Sequence, residues 1–170
     1  HDLEVPLRRE PIRFVPVLED PGAILDARLI ARAPRVMALT TGGEDLALAL
    51  GGVPTPEVLR LPKLLVHYAA RAEGVLSFGL LRSTADYADD AAIAAAAKEA
   101  RAHGFDGAAC VHPAVVPLLN AGFAPSEAEL DWARRVVAAA EGGDGAFAVD
   151  GRMVDAPVIA RARRVLGKGG

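Results

Sequence analysis

Near its start the chain states one pattern twice. Phe14-Val15-Pro16-Val17-Leu18, a short apolar run, ends at the acidic pair Glu19-Asp20 and the turn-forming Pro21-Gly22. Ala23 to Ala33 then sets Ile24, Ala27, Ile30 and Ala31 on one helical face. Arg35-Val36-Met37-Ala38-Leu39 repeats the strand, Thr40-Thr41-Gly42-Gly43 the turn and Glu44-Asp45 the acidic pair. A strand that feeds a helix and is followed by a second such strand needs a crossover, and crossovers of this kind join parallel strands with a right-handed turn. The pattern restricts the chain to the α/β class.

The same grammar continues. A helix is expected over 56–72, a strand at Val75-Leu76-Ser77-Phe78, and an Ala-rich helix from Asp89 to His103 that Gly104 closes in a left-handed conformation. A fourth strand, Gly107 to Val111, runs into His112-Pro113. Ser126, with Glu129 at the capping-box position, opens a helix through Glu141. After the loop Gly142 to Gly145, an apolar piece from Ala146 to Val149, a turn at Asp150-Gly151 and a last helix over 156–166 complete the chain, with a frayed GKGG tail. Two architectures share this pattern, an open doubly wound sheet and a consecutive stretch of a (β/α)8 barrel. In both, sites are built at the C-terminal edge of the strands, where Glu19, Asp45 and His112 arrive.

Composition narrows the partners. The 170 residues are 52% apolar and 24% charged, with a net charge of -3 and both signs interspersed, so there is no basic stripe for nucleic acid and no cluster for anionic lipid. The single cysteine, Cys110, excludes an internal disulfide and fits the cytoplasm. No apolar run approaches the roughly 20 residues that span a bilayer. The N-terminus has neither an initiator Met nor a signal-peptide apolar region, so the chain is expected to begin partway through a longer gene product.

Glu19 and Asp45 stand one strand-unit apart, each after an apolar strand, and can share one hard cation at a common rim. Mg2+ asks for one or two protein carboxylates and leaves its other positions to water and substrate oxygens. The same residues can equally begin the following helices, where they complement the macrodipole. The turn before Asp45 faces the same rim and is either a dock for an anionic carboxylate or a tight turn alone. His112 either binds substrate or makes a structural hydrogen bond. Cys110 reads as a core thiol, and His67 and His103 as satisfied or solvated residues. No HExxH, paired CxxC or GxSxG occurs, which leaves zinc proteases and α/β hydrolases without support.

Three segments, taken in order, carry a resemblance. VPVLEDPGAILDARLIARAPRVMALTTGGEDLALALG is similar to a strand ending in Glu-Thr-Ala, a helix, and a strand entering Gly-Ala-Glu-Asp-Leu. GFDGAACVHPAVVPLLNAGFAPSEAELDWARRVV resembles a Gly-Phe-Asp-Gly, Ile-His-Pro and Phe-x-Pro-Ser segment. VDGRMVDAPVIARARRVL resembles an Asp-Gly-Lys-Met-Val/Ile-Asp signature. Together, from Ile12 to Leu166, they resemble the C-terminal part of the HpcH/HpaI aldolase and citrate lyase β-subunit superfamily.

The resemblance implies the C-terminal half of a (β/α)8 barrel of the phosphoenolpyruvate/pyruvate type, about strands 5 to 8, over residues 1–123. Residues 124–170 would form a helical extension packing on a neighbouring subunit. It implies Mg2+ held by Glu19 and Asp45, a substrate carboxylate received by the backbone of Gly42, Gly43 and Glu44, and Asp155 brought into a neighbouring subunit's site; His112 stays a candidate substrate contact from its place after the fourth strand alone. Asp155 can also cap the last helix. The implied reaction is carbon-carbon cleavage of a 3-hydroxyacyl-CoA of citryl-, malyl- or citramalyl-CoA type into an acyl-CoA and an α-keto acid, in a homo-oligomer, a trimer or hexamer. Two alternatives stand beside it: a CoA-independent class II hydroxy-keto-acid aldolase, and a catalytically incompetent half-barrel acting as a binding or assembly subunit. Three departures from the family pattern bear on this, one being that GLLRSTADYADD, after the third strand, fits a CoA-ester-lyase-like subgroup less tightly than the other motifs fit the family. The first motif reads Glu-Asp-Pro, and the N-terminal half, which supplies a substrate-gripping Arg, has no counterpart in these residues.

Overall fold

The computed structural model describes residues 11–85, 87–141 and 147–168. The chain divides into two compact units, His1–Phe123 and Ala124–Gly170.

In the first unit β1 (Val17–Leu18), β2 (Ala38–Thr41) and β3 (Leu76–Ser77) form a parallel sheet in the order β1-β2-β3. The register pairs Val17 with Thr40 and Leu18 with Thr41, then Ala38 with Leu76 and Leu39 with Ser77. Single parallel bridges, Phe14 to Val36 and Phe78 to Gly107, lengthen it. Helices α1 (Pro21–Leu25) and α2 (Ala27–Ala31) cross from β1 to β2, and α3 (Gly43–Ala49) and α4 (Pro56–Ala72) from β2 to β3. Beyond β3 come α5 (Asp90–His103), a 3-10 turn at Pro113–Val115 and α6 (Val116–Phe123).

Leu18 and Leu39 from the strands pack with Ile24, Ala27, Leu46, Leu59, Val66 and Ala70 from the helices in one core cluster. Full burial of a side chain such as Leu39 is worth about 1.5–3 kcal/mol, so this cluster holds the helices over the sheet. Leu80, Leu81, Ile93, Ala97, Phe105 and Leu119 make a second cluster. Gly122 lets α6 approach α5 there, since a Cβ at that position would overlap the Ala97 methyl. His67, buried in α4, bonds through Nδ1 to Ser77 Oγ at 3.0 Å and stacks on Phe105, which makes it a satisfied core residue.

The helix starts follow capping chemistry. Asp20 accepts from the Ala23 N–H at 3.0 Å, with Pro21 opening α1; Thr55 caps α4 and Asp89 caps α5. Gly104 closes α5 at φ 97.

Three expectations need correction. The helix expected over 23–33 is two short helices divided at Asp26, whose φ of -91 and ψ of 8 leave the helical region. Thr40 and Thr41, expected in a turn, are the end of β2, because their pairing with Val17 and Leu18 continues the ladder. Gly107 to Val111 makes one bridge in place of a fourth strand: glycine and two alanines offer no branched side chains to pack on a sheet surface. Among the described residues the parallel sheet is three-stranded and open, in keeping with the α/β class.

In the second unit α7 (Glu127–Ala140) packs against α8 (Ala156–Lys168) through Ala133, Val136 and Ala162, with Val154 beneath them. Ser126 and Glu129 form the expected capping box, the Ser126 N–H donating to Glu129 Oε2 at 2.8 Å and the Glu129 N–H to Ser126 Oγ at 3.3 Å. Strands β4 (Phe147–Val149) and β5 (Arg152–Val154) pair antiparallel around Asp150 and Gly151, both at positive φ as a tight hairpin turn requires. The expected loop from Gly142 to Gly145, Ala146 and the last two residues of the tail lie outside the described residues. Among the described residues no helix is long and apolar enough to cross a membrane.

Candidate metal centre

Parallel pairing brings the two expected ligands to one rim. Gly42, the residue after β2, donates its N–H to the Leu18 carbonyl at 3.1 Å, so Glu19, the residue after Leu18, lies beside Gly42. The contact is close: a Cβ on Gly42 would overlap Glu19 Oε1 and come within 2.6 Å of its Cγ. Gly42 is also the N-cap of α3, and Glu44 and Asp45 occupy the first turn of that helix. The Glu19 carboxylate thus lies against the start of the helix that carries Asp45, and both side chains are exposed.

The donor set suits a hard cation. Among the described residues no three His, Cys, Asp or Glu side chains gather into a cage, and a pair of exposed carboxylates is what Mg2+ takes from a protein while keeping water and substrate oxygens in its remaining positions. Asp20, where the family pattern has Thr, turns its carboxylate to the cap of α1. It adds a negative charge beside Glu19.

Beneath the rim lies a residue that motif reading passes over. Lys63, in α4, is 3% exposed, and its Cε would stand 3.7 Å from a Cβ on Gly43. Burial pushes its amine down to about 8, with the Glu44 carboxylate pulling the other way. Glu44 in turn accepts a hydrogen bond from Ser83 Oγ, in the loop after β3. Lys63 was detectable from spacing: it shares the helical stripe of Leu59, Val66 and Ala70, where a lysine does not belong unless something meets its charge.

His112 follows the Gly107 bridge. Its Nδ1 accepts the Ala114 N–H at 3.2 Å, capping the 3-10 turn, and its exposed ring stacks parallel to Tyr87 with centroids 5.2 Å apart. Cys110 is half-buried beside Leu80, Val115 and Leu119 in a small cavity. In the second unit, Asp155 Oδ1 accepts the Val158 N–H at 3.3 Å and so caps α8.

A family model described as HpcH/HpaI aldolase/citrate lyase matches residues 4–113. The chain belongs to this family. Among its curated relatives are the citrate lyase subunit beta-like protein of Mycobacterium tuberculosis, 35% identical over 156 residues, 88% of this chain and 56% of the relative, and the citrate lyase subunit beta of Escherichia coli, 36% identical over 169 residues, 94% and 55%. The chain therefore spans little more than half the length of these family members. A crystal structure of CitE from Mycobacterium tuberculosis in complex with magnesium, acetoacetate and coenzyme A superimposes with a TM-score of 0.84 at 33% identity, covering 94% of this chain and 62% of that one.

Proposed function

We propose that this chain is the metal-binding half of a Mg2+-dependent carbon-carbon lyase that cleaves a 3-hydroxyacyl-CoA of citryl-, malyl- or citramalyl-CoA type into an acyl-CoA and an α-keto acid. The observation that carries the reading is the packing of the Glu19 carboxylate on Gly42, at the start of the helix that bears Asp45. In this reading β1 to β3 are consecutive strands of a (β/α)8 barrel whose remaining strands lie in a preceding segment or another chain. The magnesium-, acetoacetate- and coenzyme A-bound relative supports the choice of Mg2+ as the cation.

Glu19 and Asp45 hold the cation, and the backbone N–H groups of Gly43 and Glu44 orient the keto-acid carboxylate next to it, whereas the expected Gly42 N–H is already donated to the Leu18 carbonyl. Mg2+, when bound, supplies a Lewis acid for the substrate's carbonyl. His112 has Nδ1 committed as an acceptor to Ala114, so its neutral ring carries the proton on Nε2 and presents a donor at the exposed rim. Asp155, fixed by its cap on α8, serves a neighbouring copy's site in a homo-oligomer.

Two measurements on the purified protein test this: calorimetric titration with Mg2+ and Mg2+-dependent cleavage of malyl-CoA or citramalyl-CoA. The Glu19→Ala, Asp45→Ala double variant is expected to lose both. Cleavage that survives in that variant removes the metal assignment.

One observation favours a second reading. Among the described residues no strand pairs with the outer edge of β1, and Phe14, Val15 and Val17 are exposed, as expected of a half-barrel that acts as a binding or assembly subunit. A folded chain that binds Mg2+, cleaves neither thioester alone, and becomes active on adding the N-terminal half of a family member would support it.

A further inference from the structure

Asp20 follows Glu19 in the chain, and its carboxylate is already committed. Its Oδ1 accepts the Ala23 N–H at 3.0 Å at the start of α1, and a Cβ on Gly22 would stand 3.1 Å from the same oxygen. Asp20 is exposed, and among the described residues no cation pairs with it. The other flank of the rim differs. There Glu44 shares a groove with Arg82 and accepts a hydrogen bond from Ser83, and Lys63 lies beneath Gly43. On the Asp20 side the negative charge is fixed and unopposed. We propose that Asp20 is a specificity-determining residue that selects a keto acid with a single carboxylate. The substrate is then of malyl- or citramalyl-CoA type, which yields glyoxylate or pyruvate, and not citryl-CoA, which yields oxaloacetate.

The selection rests on the reading of the rim as a cation and keto-acid site, and it narrows the substrate of that site. The carboxylates of Glu19 and Asp45 together neutralise a dication, so the one carboxylate that every keto acid presents to the cation already leaves the rim negative. A second carboxylate on the same acid meets the Asp20 charge with nothing to offset it. Consecutive Cα atoms lie about 3.8 Å apart, and salt screens exposed charges only beyond roughly 8–10 Å, so Asp20 acts on a group bound beside Glu19. Like charges at such separations oppose each other even in water. The helix start does not require the charge, since asparagine caps as well as aspartate.

The test compares two acids that differ by one carboxylate. Pyruvate and freshly dissolved oxaloacetate are titrated calorimetrically into the purified protein at saturating Mg2+ and low salt. The wild type is expected to prefer pyruvate by about fivefold, the order of effect that one exposed charge supplies. Asp20→Asn, which keeps the cap and is expected to melt with the wild type, should lose most of that preference through tighter oxaloacetate binding. Raising the ionic strength to about 1 M, where the screening length falls to roughly 3 Å, should shrink the wild-type preference and leave the variant unchanged. Exclusion of the larger acid by size would not respond to salt.

Equal affinity of the wild type for the two acids overturns the selection, and so does a preference that persists in Asp20→Asn. If Asp20→Asn melts lower, the salt series on the wild type decides alone: a preference that salt does not change overturns the role of the charge. Failure of both acids to bind the wild type in the presence of Mg2+ overturns the reading of the rim, and the selection with it, whereas pyruvate binding without preference overturns the selection alone.

Discussion

The Glu19 carboxylate stands where a side chain on Gly42 would have to be. Gly42 lies at φ -82, where any residue is comfortable, so the glycine is needed for space rather than for backbone freedom. Glu19 is exposed and its end can swing aside. Gly42→Ala is therefore expected to leave the melting temperature within a few degrees of wild type while displacing one ligand, and to weaken Mg2+ binding by roughly tenfold, about 1.4 kcal/mol. Calorimetric titration beside a thermal melt reads both; wild-type affinity in Gly42→Ala would detach Glu19 from the metal.

The strands, helices and rim were legible where local chemistry and packing agreed. Asp89 and Ser126 each marked a helix start, and Gly104 a helix end, because capping is decided within a few residues. Two features were not local. Gly107 to Val111 looked like its predecessors, yet a strand needs a lateral partner, and small side chains give it little to pack with. The lysine at 63 stood out on an apolar helical stripe, but its place under Gly43 is set by the fold alone.

Burial of Lys63 has a pH signature. Its amine titrates at about 8 in the folded protein against an ordinary value of 10.5. Between those values the unfolded chain holds a proton that the folded one has released, so the stability of the first unit rises as pH goes from about 8 to 10.5 and is flat with respect to this group below that window. Urea midpoints for the wild type and Lys63→Met should differ by a constant amount below pH 8, and that difference should change steadily above it. A pH-independent difference would place the amine in water.

Gly104 is a position where backbone freedom is required. It ends α5 at φ 97, its N–H bonds to the Arg101 carbonyl at 2.9 Å, and its own carbonyl accepts from Arg71. A Cβ there would meet the His67 ring at 3.6 Å, an ordinary contact, so the cost of Gly104→Ala is backbone strain of about 1–2 kcal/mol. The expected result is a lower urea midpoint with an unchanged slope. An unchanged midpoint would mean that the α5 end relaxes without cost.

Asp155 allows structure and chemistry to be separated by one atom. As the cap of α8 it accepts the Val158 N–H through Oδ1, a task that asparagine performs equally well, whereas alanine forfeits about 1 kcal/mol. A carboxylate serving a neighbouring copy's site has a charge and a proton-accepting oxygen that asparagine lacks. Asp155→Asn is therefore expected to melt with the wild type and Asp155→Ala below it, while both lose thioester cleavage in the assembled enzyme. Mixing Asp155→Asn protein with Glu19→Ala protein tests the arrangement between copies: mixed oligomers pair an intact metal centre from one copy with an intact Asp155 from the other, so activity should return. No recovery in oligomers shown to be mixed would confine Asp155 to its helix cap.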